Sequence, residues 1–131
     1  MAFEYQMLLF MTFFFLVAWV PASLAKRATF GFKWVMSNRD HTPSVQLPAW
    51  GTRADRSYNN LKDYFPGFVV AILLLGQLNK FDHSTAIAAG AYVALRMVHF
   101  IAYTSGNFPF RFVGFTGGMI ANFYLLAKAI Y

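Results

Sequence analysis

Apolar and polar stretches alternate along the chain. Residues 5–25 read YQMLLFMTFFFLVAWVPASLA, long enough for a membrane-crossing helix, which needs about 20 residues. A signal peptide is the competing reading of this run. However, Glu4 is acidic and no Lys or Arg comes earlier, so the basic start of a signal peptide is missing, and a retained helix is expected. Residues 26–51 are polar and carry Pro43, Pro48 and Gly51, which argues for a loop with short interfacial helical pieces around Phe30, Phe32 and Trp34. The apolar run 65–78 is too short to cross alone. Extended back to Thr52 it becomes long enough, with a polar first half, and Pro66 would kink or break it because it lacks an amide donor. A polar turn at 77–83 precedes an alanine-rich run at 84–103. The turn TSGNFPFR then leads into a last run, 112–131, where Gly114, Gly117, Gly118 and Ala121 would let helices approach closely. The expected fold is an all-α membrane protein: a single domain over 1–131 with four transmembrane helices at about 5–25, 52–78, 84–103 and 112–131.

Composition supports the membrane. The chain is 58% hydrophobic, 20% aromatic and only 12% charged, against about 25% charged residues in soluble domains. It has no cysteine, so any thiol chemistry must use a thiol from a ligand. The net charge of +6 fits basic loops and anionic headgroups, not nucleic acid. Seven Lys or Arg lie between Lys26 and Lys62, and Arg111 lies in the last loop; the opposite side has Lys80 and Lys128. The first and third loops are therefore expected in the cytoplasm, and both termini on the other side.

Two polar patterns carry the candidate chemistry. Arg53, Arg56, Asn60 and Asp63 lie at offsets of three, seven and ten, which places them on one helix face. Arg96, His99 and Tyr103 repeat the spacing on the third helix, and Tyr92 extends that face. An arginine inside a membrane helix costs about 2.5–3.5 kcal/mol on insertion scales and needs a partner or a wet cavity. Asp63 is the most attractive partner for Arg96 in the sequence. The bland reading is that these groups only lock two helices together. Arg53, Arg56, Arg96 and Arg111 outnumber Asp63, however, and that surplus suits an anionic ligand held by guanidinium forks. His41, His83 and His99 fall in separate segments and form no metal-binding pattern.

RADRSYNNLKDYFP resembles the signature of the MAPEG family, the membrane-associated proteins of eicosanoid and glutathione metabolism, with Asp63 in place of a glutamate. RMVHFIAY and FPFRFVGF resemble two further family blocks, and the likeness is to a bacterial-type, microsomal glutathione transferase-like member. The resemblance implies a homotrimer that binds glutathione as co-substrate between subunits, near the cytoplasmic face. Arg53, Arg56, Asn60, Asp63, Arg96, His99 and Tyr103 would line the glutathione site, and Arg111 would stand beside the thiol as the catalytic residue. A guanidinium favours thiolate over thiol, and the thiolate is the nucleophile. Asp63 would meet either the ligand ammonium or Arg96. Where the prostaglandin synthase branch has serine and tyrosine after the arginine, this chain has Phe112 and Phe115, which argues against that isomerase chemistry. The resulting expectation is a membrane glutathione transferase or peroxidase acting on lipophilic electrophiles entering from the bilayer. The alternative is a non-catalytic trimeric scaffold or a binder of anionic lipid. A small transporter or channel component ranks last, for lack of repeats or paired broken helices.

Overall fold

The first apolar run is divided by a shallow break at Ala18 and Trp19 into α1 (Phe3–Val17) and α2 (Val20–Phe30). Pro21 supplies no amide for the next helical bond, and it stands where α2 begins. In the computed structural model, which describes all residues Met1–Tyr131, the two pieces still form one apolar stretch, Phe3–Phe30. The helical part thus runs past the expected end at residue 25. Gly31, at φ 90°, then turns the chain into the short α3 (Phe32–Val35), among the helical pieces expected near Phe30 and Trp34. Next come α4 (Ala49–Gln77), α5 (His83–Ser105) and α6 (Phe108–Ile130).

The helix α4 passes through Pro66 without a break, so the interruption considered from the sequence does not occur. One missing amide bond is tolerated because the flanking turns are held by packing: Leu61, Phe65, Phe68, Ile72 and Leu75 are all buried along one face. A capping box starts α5. Asp82 Oδ1 accepts the Thr85 amide at 2.9 Å, and the Asp82 amide donates to Thr85 Oγ1 at 2.8 Å. Gly106 ends α5 in the left-handed region at φ 85°. Asn107 then caps α6 by accepting the Phe110 amide at 3.2 Å, with Pro109 in the first turn. These signals start α6 at Phe108, four residues before the expected 112.

Glycines bring α5 and α6 together. A Cβ at Gly114 would lie 2.7 Å from the His99 amide nitrogen and 2.7 Å from the Leu95 carbonyl oxygen. Phe68 of α4 stacks on Tyr92 of α5, with ring centroids 4.0 Å apart. On the other side, α1 adds Met11 to the core, with Phe14 edge-on to Phe100 and Phe15 tilted against Phe65.

The outside is apolar. Leu9, Phe13, Leu16, Ile87, Ile101, Ile120 and Phe123 are all exposed, which suits lipid and not water. Three stretches, Phe3–Phe30, His83–Ser105 and Phe108–Ile130, are long and apolar enough to cross a membrane. With the composition, they make this an integral membrane protein. At 29 residues α4 is long enough as well, but its first half is polar. Three polar ties hold the helices laterally. Lys26 pairs with Asp55 at 2.8 Å, Lys128 pairs with Asp82 at 2.6 Å, and Thr85 Oγ1 donates to the buried carboxylate of Glu4 at 2.5 Å.

Candidate functional site

Near the turn between α5 and α6, three helices wall a cleft of about 250 Å³ lined by Asn60, His99, Tyr103, Phe108, Arg111, Phe112 and Phe115. Asn60 comes from the polar half of α4. One turn apart on α5, His99 and Tyr103 have their rings edge-to-face at 5.6 Å. The tight Gly106–Asn107 connection puts Arg111 in the first turn of α6, so it folds back over the end of α5. Its guanidinium carbon lies 4.7 Å from the Tyr103 ring centroid and 5.0 Å from that of Phe108.

Arg111 has no carboxylate partner, since the two ion pairs of the structure involve Lys26 and Lys128. Aromatic faces attract a cation but do not neutralise it. The cleft therefore offers an uncompensated positive charge beside apolar walls, suited to an anion with an apolar neighbour. His99 Nδ1 lies 3.1 Å from the Arg111 carbonyl oxygen. A carbonyl only accepts, so Nδ1 donates, and Nε2 of the neutral ring is left as an acceptor. Nε2 is buried without a partner in the chain.

Arg96 lies behind the cleft and does not line it. The residue is 2% exposed. Its Nη2 donates to Asn60 Oδ1 at 2.8 Å, while Nε and Nη1 are buried without partners. The pairing of Arg96 with Asp63 considered from the sequence is not formed. Asp63 is exposed on α4 and engages no cation, because it stands about 60° around the helix from Asn60 and misses α5. Arg53 Nε donates to the Thr104 carbonyl at 3.0 Å, near the end of α5, where a cation also suits the helix dipole. Arg56 is exposed outside the cleft. Of the eight residues singled out from the sequence, Asn60, His99, Tyr103 and Arg111 thus meet around one cavity. Arg96 and Arg53 support it from behind and from the rim.

Phe108 belongs to the cleft but was not among the residues picked from the sequence. It lies one turn before Arg111 on the same face, and the signal that α6 starts there is Asn107 followed by Pro109. On the opposite flank of α4, a second polar cleft of about 360 Å³ is lined by Lys26, Arg39, Lys62, Asp55 and Tyr58, among others.

No curated protein and no solved structure matches the chain. The membrane helices, the stripe 53–63 and the Arg111 cleft nevertheless lie within one family match: the MAPEG family model covers residues 4–131, essentially the whole length, and the chain belongs to the MAPEG family.

Proposed function

We propose that this protein binds glutathione in the Arg111 cleft and presents its sulfur, as the thiolate, to a lipophilic electrophile. Membership of the MAPEG family points to membrane proteins of glutathione or eicosanoid metabolism. The observation that carries the finer reading is Arg111: a guanidinium with no acid partner, seated against Tyr103 and Phe108 in a cleft walled by Phe112 and Phe115. Glutathione has two carboxylates, one ammonium group and a thiol, and guanidinium and amide N–H groups suit the carboxylates. At Arg111 the thiolate is favoured over the thiol. It attacks an electrophilic carbon, whose leaving group departs with the bond electrons, or the terminal oxygen of a lipid hydroperoxide. In the second case the O–O bond breaks to release the lipid alkoxide, protonated by water, and to leave a glutathione sulfenic acid that a second glutathione converts to the disulfide and water. Phe108 and Phe112 of the lining are themselves exposed, and an exposed apolar rim suits the approach of a lipophilic substrate.

In this reading α4 is a fourth crossing, the subunits form a homotrimer, and the end of the bundle with Arg111 is cytoplasmic. One feature supports the oligomer: the cleft, at about 250 Å³, falls below the usual 300–1,000 Å³ of ligand pockets. The excess of Lys and Arg in residues 26–62 supports the sidedness.

The test is glutathione binding by the detergent-purified protein, with Arg111→Gln alongside. Glutathione is expected to raise the melting temperature and to show the thiolate ultraviolet band. Arg111→Gln is expected to lose the band and to lower transfer to an aryl halide by about 10²–10³-fold. No shift and no band with the wild type would reject the reading. A non-catalytic scaffold or anionic-lipid binder is the second reading. It is favoured by Phe112 and Phe115, which bring no hydroxyl to the sulfur, and predicts a melting shift without turnover.

A further inference from the structure

We infer that Arg96 is a positioning residue: it holds the side-chain amide of Asn60 in one orientation, so that the cleft receives an N–H donor meant for a carboxylate of the ligand. The inference rests on the glutathione reading above. A guanidinium has donors only. The atom of Asn60 that lies 2.8 Å from Arg96 Nη2 is therefore its oxygen, and Nδ2 is the other end of the same planar amide. Asn60 lines the cleft and Arg96 does not. Nδ2 has no partner in the chain, and it is not sealed in the interior, since no Asn60 atom is among the buried polar atoms without partners.

The surroundings hold this arrangement in place. Arg96 is among the most buried side chains of the molecule, and its stem passes over Gly118, where an added Cβ would lie 3.2 Å from Cδ. One turn away on α4, Ser57 Oγ donates to the Phe100 carbonyl at 3.4 Å, so α4 and α5 are tied at the same level. No carboxylate pairs with Arg96, and its full positive charge stands behind the amide. A cation on the oxygen polarises an amide and makes its N–H groups stronger donors. An Asn60 free to turn could also present its oxygen to the ligand, and an oxygen facing a carboxylate is repelled. Arg96 removes that alternative.

Two variants separate this role from a structural one. Asn60→Asp replaces the amide by a carboxylate of the same shape, which pairs with Arg96 but brings no donor to the cleft. Arg96→Met removes a buried charge that lacks an acid partner and leaves a stem of similar length. Both are expected to fold, with the melting temperature of Asn60→Asp at or above that of the wild type. Both are expected to weaken glutathione by about tenfold or more, as for one lost charge-assisted hydrogen bond. Binding is measured by calorimetry with three probes: glutathione, its diester, and the analogue with a methyl group in place of the thiol. In the wild type the diester binds more weakly than the acid. In Asn60→Asp that preference shrinks, while the thiol-free analogue weakens in step with glutathione. A purely structural role would lower stability and leave the preference for acid over ester untouched. Wild-type affinity in either variant overturns the positioning role and leaves the glutathione reading standing. Failure of the wild type to bind both glutathione and the thiol-free analogue overturns both.

Discussion

At the scale of single residues, the site depends on which polar groups find partners. Asp63 finds none, so Asp63→Asn is expected to change stability by no more than about 0.5 kcal/mol in chemical denaturation. A drop of several kcal/mol would show a partner that the chain alone does not contain. Arg53 behaves differently, because its Nε satisfies the Thr104 carbonyl at the end of α5. Arg53→Ala is expected to cost about 1–3 kcal/mol, read by the same unfolding curve, since it leaves that carbonyl short of a donor. Both residues belong to the stripe picked from the sequence, yet one is a tie and the other is open. Spacing assigns a residue to a face and is silent about what that face meets.

At the scale of elements, the pair α5 and α6 positions the cleft, and glycines set the spacing of the pair. A Cβ at Gly114 would press on backbone atoms of His99 and Leu95, which cannot move without shifting the helix. At Gly117 the added atom would meet Leu95 Cδ1 at 2.8 Å, the tip of a flexible side chain. Gly114→Ala is therefore expected to lower stability by about 1–3 kcal/mol, and Gly117→Ala by clearly less. Equal melting temperatures for the two variants would contradict the close approach of the backbones. Because Gly114 lies beside His99, Gly114→Ala is also expected to weaken any ligand held in the cleft. The early start of α6 matters in the same way. The Asn107 cap places Arg111 over Tyr103, a position it would not have as the last residue of a loop.

At the scale of the whole molecule, polar ties join the helices at the end of the bundle away from the cleft. The Lys128 ammonium, with the Ser84 hydroxyl and the Thr85 amide, holds the Asp82 carboxyl well below the usual carboxylate range. Its folded value is depressed, so its contribution is complete above the unfolded value of about 3.9 and is lost as pH falls below that toward the folded value. The wild-type melting temperature is thus expected to fall as the pH drops below about 4. Asp82→Asn should be less stable at pH 7 and show a weaker dependence in that range. On the proposed glutathione binding, glutathione at about 100 times its dissociation constant should add about 2.7 kcal/mol per site, read as a rise in melting temperature.

Much of this protein was legible in its residues. The membrane class follows from 12% charged residues and long apolar runs, because such a chain cannot cover itself for water. The faces of α4 and α5 follow from offsets of three and seven, because helical periodicity is local. The MAPEG resemblance of three short blocks is matched by the family model over residues 4–131. What the tertiary structure decided is how the faces are turned toward one another. The rotation of α4 against α5 gives Arg96 to Asn60 and leaves Asp63 open, although the two residues differ by only about 60° around one helix. The separation of α5 and α6 depends on backbone meeting backbone at Gly114, and the seat of Arg111 depends on a tight turn. Each of these is a relation between segments distant in the chain, and packing, unlike periodicity, is decided only when those segments meet.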